Sequence, residues 1–254
     1  MKNQVNIFGV KFFNTSYEEI ISLIKNKIEN KEKLSFHNVN VNILLTYSRD
    51  DVFKKSLNSF TILLSDGIGV YWASKILFGI NGLKTRITGT DLYYQILGLA
   101  NENKLKCFFF GGSNESVKYL PGTLKEKFPD IHISGMLPRE INIKEETIEK
   151  IKNSNADILF VGLGTPYQEE WILKFSELID IPIQIAVGSG IEFISGAKKR
   201  APAFFRKLGL EWLYRVYLEP GRLWKRYVFG IPIFMFKIIV LKVKLLVNKQ
   251  NNSL

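Results

Sequence analysis

Three times in this chain an apolar run of strand length passes straight into a glycine turn and then into a helix pattern. The segments are KCFFFGGSNESVKYL (residues 106–120), DILFVGLGTPYQEEWI (157–172) and IQIAVGSGIEFISG (183–196). Strand, glycine loop and helix in succession is how open α/β sheets build ligand clefts beyond the carboxyl ends of their strands. The first part of the chain alternates in the same way. Strand-like VNIFGVKF is followed by a helix pattern over 17–28, strand-like KLSFHNVNV by a helix pattern over 43–57, and strand-like FTILLS closes the series. Ser16 and Glu19 have the spacing of a capping box for the first helix. The alternation predicts an α/β fold with a Rossmann-like, mainly parallel sheet flanked by helices. The segment GMLPREINIKEET (135–147) reads as a surface connection.

The character changes near residue 196. Residues 198–254 hold 13 Lys/Arg against 2 Asp/Glu, which leaves 22 of each sign in the rest of the chain. The whole excess of +11 therefore belongs to the tail, where Phe204, Phe205, Trp212, Tyr214, Tyr217, Trp224 and Tyr227 are interleaved with the cations. This divides the chain into an α/β domain over 1–195 and a basic, aromatic helical appendage over 196–254, and implies a localised anionic partner. The apolar stretch YVFGIPIFMFKIIVLKVKLLV carries Pro232 and is interrupted by Lys237, Lys242 and Lys244. It lacks the ~18 uninterrupted apolar residues of a spanning helix. It is expected to lie on a membrane surface, where each cation near an anionic leaflet contributes about 1 kcal/mol; a helix packed on its own domain is the alternative. A nucleic-acid partner would leave the neutral α/β domain without a purpose, so none is expected.

Other classes are excluded by what is missing. Cys107 is the single cysteine and lies in an apolar run, so no disulfide framework forms and a reducing, cytoplasmic compartment is expected. The opening residues contain no apolar leader core. Two histidines far apart offer no zinc-like spacing, and no Asp-x-Asp pair is present to hold a metal on a diphosphate. None of the glycine turns fits G-x-G-x-x-G or G-x-x-x-x-G-K-[ST], which disfavours a dinucleotide site and a P-loop. No metal and no cofactor are expected.

Several residues remain that can carry chemistry. FTILLS ends in Ser65-Asp66-Gly67, which projects Asp66 from the end of a strand into the expected cleft; there it is either a general base or a helix cap. Asn38 and Asn40 can hydrogen-bond a polyhydroxylated ligand or satisfy a turn. Arg86, Thr88 and Gly89 precede another helix, so Arg86 faces a phosphate or the group is an ordinary cap. The turns at Gly111 and Gly112, at Gly162, Gly164 and Pro166, and at Gly188 and Gly190 can bring backbone N–H groups against a pyrophosphate. Arg215, Arg222 and Arg226 are 7 and 4 residues apart, with Pro220 and Gly221 breaking the helix between the first two. They suit a leaving diphosphate or a lipid headgroup.

Together these segments resemble the WecG/TagA/CpsF family, glycosyltransferase family 26. The resemblance runs through the Asn40 segment, SDGIGVYWASK, RITGTDL, FFFGGS, FVGLGTPYQEEWI, AVGSGIEFISGAKKRAPAFFRKLGLEWLYR and EPGRLWKRY, almost the whole chain in order. It implies an inverting transfer of an N-acetylhexosamine-type sugar, such as N-acetylmannosamine or its uronic acid, from UDP. The acceptor it implies is a polyprenyl-diphosphate-linked sugar at the cytoplasmic membrane surface, in teichoic acid, capsule or related polysaccharide synthesis. By resemblance Asp66 is the base, no metal is used, and Arg215, Arg222 and Arg226 act on the diphosphate. The motif GLGTPxQExW adds Gln168 and Glu169 to the substrate-binding set. Many members have Thr and Pro at the positions of Asn38 and Val39, and often Glu at Asn42. A membrane-tethered, non-catalytic sugar-nucleotide binding module is the alternative, and assembly into a homo-oligomer is left open.

Overall fold

The computed structural model describes residues 3–140 and 142–251, apart from the side chains of Arg222, Arg226 and residues 248–251. The strands are β1 (Gln4–Ile7), β2 (Val10–Phe13), β3 (Leu34–Val39), β4 (Ile62–Ser65), β5 (Lys106–Gly111), β6 (His132–Leu137), β7 (Ile158–Gly162) and β8 (Ile183–Ala186). Helices α1 (Tyr17–Glu29), α2 (Val41–Tyr47), α3 (Asp51–Asn58), α4 (Gly67–Phe78), α5 (Gly89–Glu102), α6 (Asn114–Lys127), α7 (Glu145–Lys152), α8 (Tyr167–Phe175) and α9 (Gly190–Ile194) fill the connections. Four more follow: α10 (Ala203–Lys207), α11 (Glu211–Leu218), α12 (Pro220–Val228) and α13 (Gly230–Asn251).

The strands form one sheet in the order β1-β2-β4-β3-β8-β7-β5-β6, in which only the β1–β2 pair is antiparallel. This is the mainly parallel, Rossmann-like architecture that the strand–turn–helix repeats predict. Parallel strands need cover on both faces, and successive residues here point to opposite layers. On β7, Leu159 and Val161 join the core beneath α2, α3, α4, α7 and α8, while Ile158 and Phe160 join that beneath α1, α5, α6 and α9. Phe109 of β5 stacks on Phe160 with ring centroids 4.9 Å apart. Chain direction across the sheet switches between β3 and β8, so the loops after β3, β4, β5, β7 and β8 converge on one edge, where such sheets bind ligands.

Three local expectations are corrected. VNIFGVKF is not one strand but the hairpin β1–β2, turned at Phe8 and Gly9, whose φ angles of 55° and 89° suit a primed two-residue turn. The helix pattern over 43–57 breaks into α2 and α3, because the Asp50 carboxylate accepts from the Val52 and Phe53 N–H groups and starts a new helix. The segment read as a connection begins inside β6, where a Cβ on Gly135 would lie 2.3 Å from the Phe108 ring, so glycine lets the ring of the neighbouring strand lie flat.

The helix break at Pro220 falls where the sequence puts it, between α11 and α12. Helix α13 packs against α2 and α4. Phe234 and Ile238 are buried in the same core as β1 and β2, and Phe234 meets the Phe8 ring edge-on at 5.9 Å. Lys237 Nζ donates to Ser48 Oγ (2.8 Å) and Lys242 Nζ to the Leu77 carbonyl (2.9 Å), so both cations turn inward. Phe229, Ile233, Phe236, Val240, Val243 and Val247, spaced by three and four, are exposed on the other side. No helix among the described residues is long and apolar enough to cross a membrane.

Candidate active site

Asp66 links the end of β4 to the start of α4. It occupies the N-cap position, yet its side chain makes no capping bond to its own helix. Oδ1 instead accepts from the N–H of Gly89, the first residue of α5, at 3.0 Å. The backbone is pinned from both sides: Asp66 N–H donates to the Val39 carbonyl (2.9 Å) and Gly67 N–H to the Ile87 carbonyl (3.1 Å).

The two asparagines of the β3 end differ. Asn40 Oδ1 caps α2, accepting from Asn42 N–H (3.0 Å) and Ile43 N–H (3.2 Å). Asn38 is buried, and neither atom of its carboxamide has a hydrogen-bond partner among the described residues. Arg86 Nη2 donates to the carbonyl of Arg206 in the appendage (3.0 Å). Thr88 is the N-cap residue of α5 without a side-chain capping bond, and its N–H donates to Tyr17 Oη at 2.7 Å. Asp91 does not cap either: it binds Arg200 Nη1 (2.8 Å) and Arg206 Nη1 (3.5 Å), fastening the appendage to α5.

The glycine turns are locked to one another. Gly111 and Gly162 are in register on β5 and β7, and a Cβ on Gly111 would lie 2.3 Å from the Gly162 carbonyl carbon. Gln168 Oε1 accepts from Gly188 N–H (2.8 Å), tying α8 to the turn after β8. Beneath them Glu169 Oε1 accepts from Thr165 Oγ1 (2.8 Å) and Gln168 Nε2 (3.2 Å), and lies 2.8 Å from Nε2 of buried His37. His37 Nδ1 is 3.1 Å from the Ala186 carbonyl. Burial pushes the Glu169 carboxyl upward, but His37 and Thr165 outweigh it and hold it below the usual carboxylate range. Glu169 thus supports the turns from below, and Glu169, Pro166 and Gly111 are not part of the cleft wall.

Above the sheet edge are two adjoining chambers. The larger, about 770 Å³, is lined mostly by polar groups: the turns at Gly112, Gly162–Thr165 and Gly188–Gly190, with Asn38, Gly89, Gln168 and Lys198. The smaller, about 370 Å³, is walled by Leu45, Trp72, Ile76, Trp212, Ile231, Phe234 and Met235, with Arg86 and Thr88 also on its rim. Asn40, Asn42, Asp66, Thr90, Phe193 and Arg215 line both. Arg215 reaches this junction from α11; its guanidinium is 5.4 Å from the Phe193 ring centroid and Nη2 donates to Ser189 Oγ at 3.5 Å. Arg222 and Arg226 belong to α12, with side chains outside the described residues.

Among the described residues, five charged ones that line the cleft were not selected from the sequence: Arg139, Glu192, Lys198, Arg206 and Glu211. Arg139 follows β6 and stacks over the Tyr167 ring at 5.2 Å, and Lys198 lies 3.4 Å from Glu192 and 3.7 Å from Glu219. Reading β6 as a strand would have placed Arg139 at a strand end beside the other turns. Glu211 of α11 lines the smaller chamber; burial, with Asp66 and Asp91 nearby, raises its carboxyl above the ordinary value despite Arg200 and Arg215.

Residues 5–248 match the profile of the glycosyl transferase WecG/TagA/CpsF family. A protein of Staphylococcus aureus strain NCTC 8325, named N-acetylglucosaminyldiphosphoundecaprenol N-acetyl-beta-D-mannosaminyltransferase, is 35% identical over 250 residues, which cover 95% of this chain and 94% of its own. The protein of the same name in strain MRSA252 is 34% identical over the same coverage. With the profile spanning nearly the whole chain, on a sheet whose turns and Asp66 converge at one edge, the chain belongs to the WecG/TagA/CpsF family of glycosyltransferases.

Proposed function

We propose that the protein transfers an N-acetylmannosaminyl-type residue from UDP, with inversion, to a sugar carried on a polyprenyl diphosphate. The observation that carries this reading is the position of Asp66 and Arg215 on the shared wall of a polar and an apolar chamber. A nucleotide sugar suits the polar chamber, where the turns after β5, β7 and β8 offer backbone amides to a pyrophosphate. A sugar on an isoprenoid chain suits the apolar one, whose wall runs along α13. Asp66 takes the proton from the acceptor hydroxyl, which attacks the anomeric carbon from the face opposite the nucleotide. The bond to the diphosphate breaks, and Arg215, with Arg222 and Arg226, neutralises the departing UDP in place of a metal. Among the remaining residues selected from the sequence, Asn38, Gly89, Gly112, Gly162, Gly164, Gln168, Gly188 and Gly190 face the donor, while Asn40 borders both chambers.

The division into a catalytic domain over 1–195 and an appendage over 196–254 belongs to the same reading. The exposed apolar side of α13, a helix that also carries exposed Lys244, docks on the inner face of the cell membrane where the acceptor lies. The names of the relatives support the acceptor and the sugar; UDP and the pathway, teichoic acid or another surface polysaccharide, rest on the family resemblance. Incubation with a short-chain N-acetylglucosamine-diphosphate-lipid and a panel of UDP-sugars tests it. UDP release with one donor and a disaccharide-lipid product are expected. Donor binding without turnover on any lipid-linked acceptor would favour a non-catalytic binding module.

A further inference from the structure

Helix α4 starts from Asp66 and carries Ile68, Trp72 and Ile76 on one face, since residues four apart are neighbours on a helix. All three line the smaller chamber, where Trp72 is 55% and Ile76 39% exposed. Ile231 and Met235, also four apart, line the same chamber from α13, beside buried Phe234. The Lys242 bond to the Leu77 carbonyl ties the two helices together near the end of α4. Between them runs an apolar trough that begins at the proposed base. A tryptophan and an isoleucine left open on such a wall call for an apolar ligand. The nucleotide and both sugars are polar, and the acceptor named for the relatives adds a single apolar part, its isoprenoid chain. Distance along the helix agrees. At a rise of about 1.5 Å per residue, Trp72 and Ile76 lie about 9 and 15 Å beyond Asp66 along the axis, which leaves room for the acceptor sugar and its diphosphate before the first isoprene units. Arg86 and Arg206 line this chamber and not the polar one, and suit that diphosphate.

We infer, resting on the acceptor reading above, that Trp72 and Ile76 bind the isoprene units next to the acceptor's diphosphate. The trough then reads the acceptor in order, with its hydroxyl at Asp66, its diphosphate at the arginines and its chain on the α4 row. Selection of the acceptor by its tail is thus built into the catalytic domain and not left to the appendage and the membrane.

The test uses UDP-N-acetylmannosamine as donor and two acceptors, N-acetylglucosamine diphosphate esterified with farnesyl or with methyl, both in free solution without vesicles or micelles. For the native chain, kcat/KM is expected to be higher on the farnesyl acceptor. Trp72→Ala and Ile76→Ala should each narrow that preference by about 10- to 100-fold, the worth of roughly two to three buried methylene groups. Trp72→Phe should keep most of it. Both side chains are open to solvent, so the thermal midpoint should change little. An equal loss on both acceptors would make the α4 row a support of the cleft and overturn the inference. So would a native chain that transfers sugar without regard to the tail. If the alanine variants keep the native preference but are retained less on anionic vesicles, the row faces the bilayer instead, and this inference alone falls. If the native chain transfers to neither acceptor, the acceptor reading falls and takes the inference with it.

Discussion

The Asp66 carboxylate is held by the backbone N–H of Gly89, 3.0 Å away, across the gap between β4 and α5. One oxygen is thereby oriented by a helix start rather than by a flexible side chain. Asp66→Asn preserves an acceptor for Gly89 but cannot take a proton. Its kcat is expected to fall by about 10²- to 10⁴-fold while donor binding changes little. Single-turnover transfer and donor titration check both halves, and native turnover in the variant would remove Asp66 from the role of base.

Arg215 approaches the same junction from the appendage and touches Ser189 and Phe193. If it stabilises a leaving diphosphate, Arg215→Ala should lower kcat by about 10²- to 10³-fold. Arg215→Lys should recover only part of this, because an ammonium is a point charge without the planar fork. Product inhibition by UDP, measured alongside, should weaken in the same order. A variant affected only in lipid-acceptor KM would place Arg215 with the acceptor instead.

Phe234 fixes α13 to the domain through its contacts with the buried core and the Phe8 ring. Phe234→Ala should cost about 3–5 kcal/mol in denaturant unfolding, with Phe234→Leu costing less because it leaves a smaller cavity. At temperatures where the alanine variant is still folded, donor binding should persist while transfer to a lipid acceptor declines. Equal loss of both would mean that α13 supports the whole cleft and not the acceptor side.

Glu169 gives a pH signature. Its folded-state carboxyl lies below the ordinary value of 4.5, so it contributes stability above that pH and loses the contribution as pH falls through the depressed folded-state value. Glu169→Gln should therefore destabilise the protein at neutral pH, by about 1–3 kcal/mol, the worth of a buried hydrogen bond to a charged group. The gap between variant and native midpoints should narrow as the solution is acidified below pH 4.5. A gap independent of pH would show that the carboxylate's charge does no stabilising work there.

The sheet and its ligand edge were legible because continuous apolar strands followed by glycine turns leave little choice of layer or direction. Local breaks were less so. Phe8 takes a left-handed conformation that its residue type does not advertise, and Asp50 restarts a helix in a stretch with neither glycine nor proline. In the cleft, the glycine turns and Asp66 were readable because strand ends carry them. Arg139, Lys198 and Glu211 were not, since a charged side chain on a surface loop looks the same whether topology turns it toward a cleft or away. Asn38 and Asn40 also looked alike, and only the three-dimensional partners separate the cap from the orphan.

The cations of the appendage serve the molecule itself to a degree that counting them conceals. Lys198 is paired with Glu192 and Glu219, Arg200 and Arg206 with Asp91, Arg215 with Ser189, Lys237 with Ser48 and Lys242 with a main-chain carbonyl. Among the described residues, six of the 13 positive charges after residue 197 are thus engaged within the chain. Added electrolyte screens these joints as well as any attraction to an outside surface. The ionic-strength dependence of adsorption should then be shallower than the formal charge suggests, and part of it should report loosening of the protein's own seams.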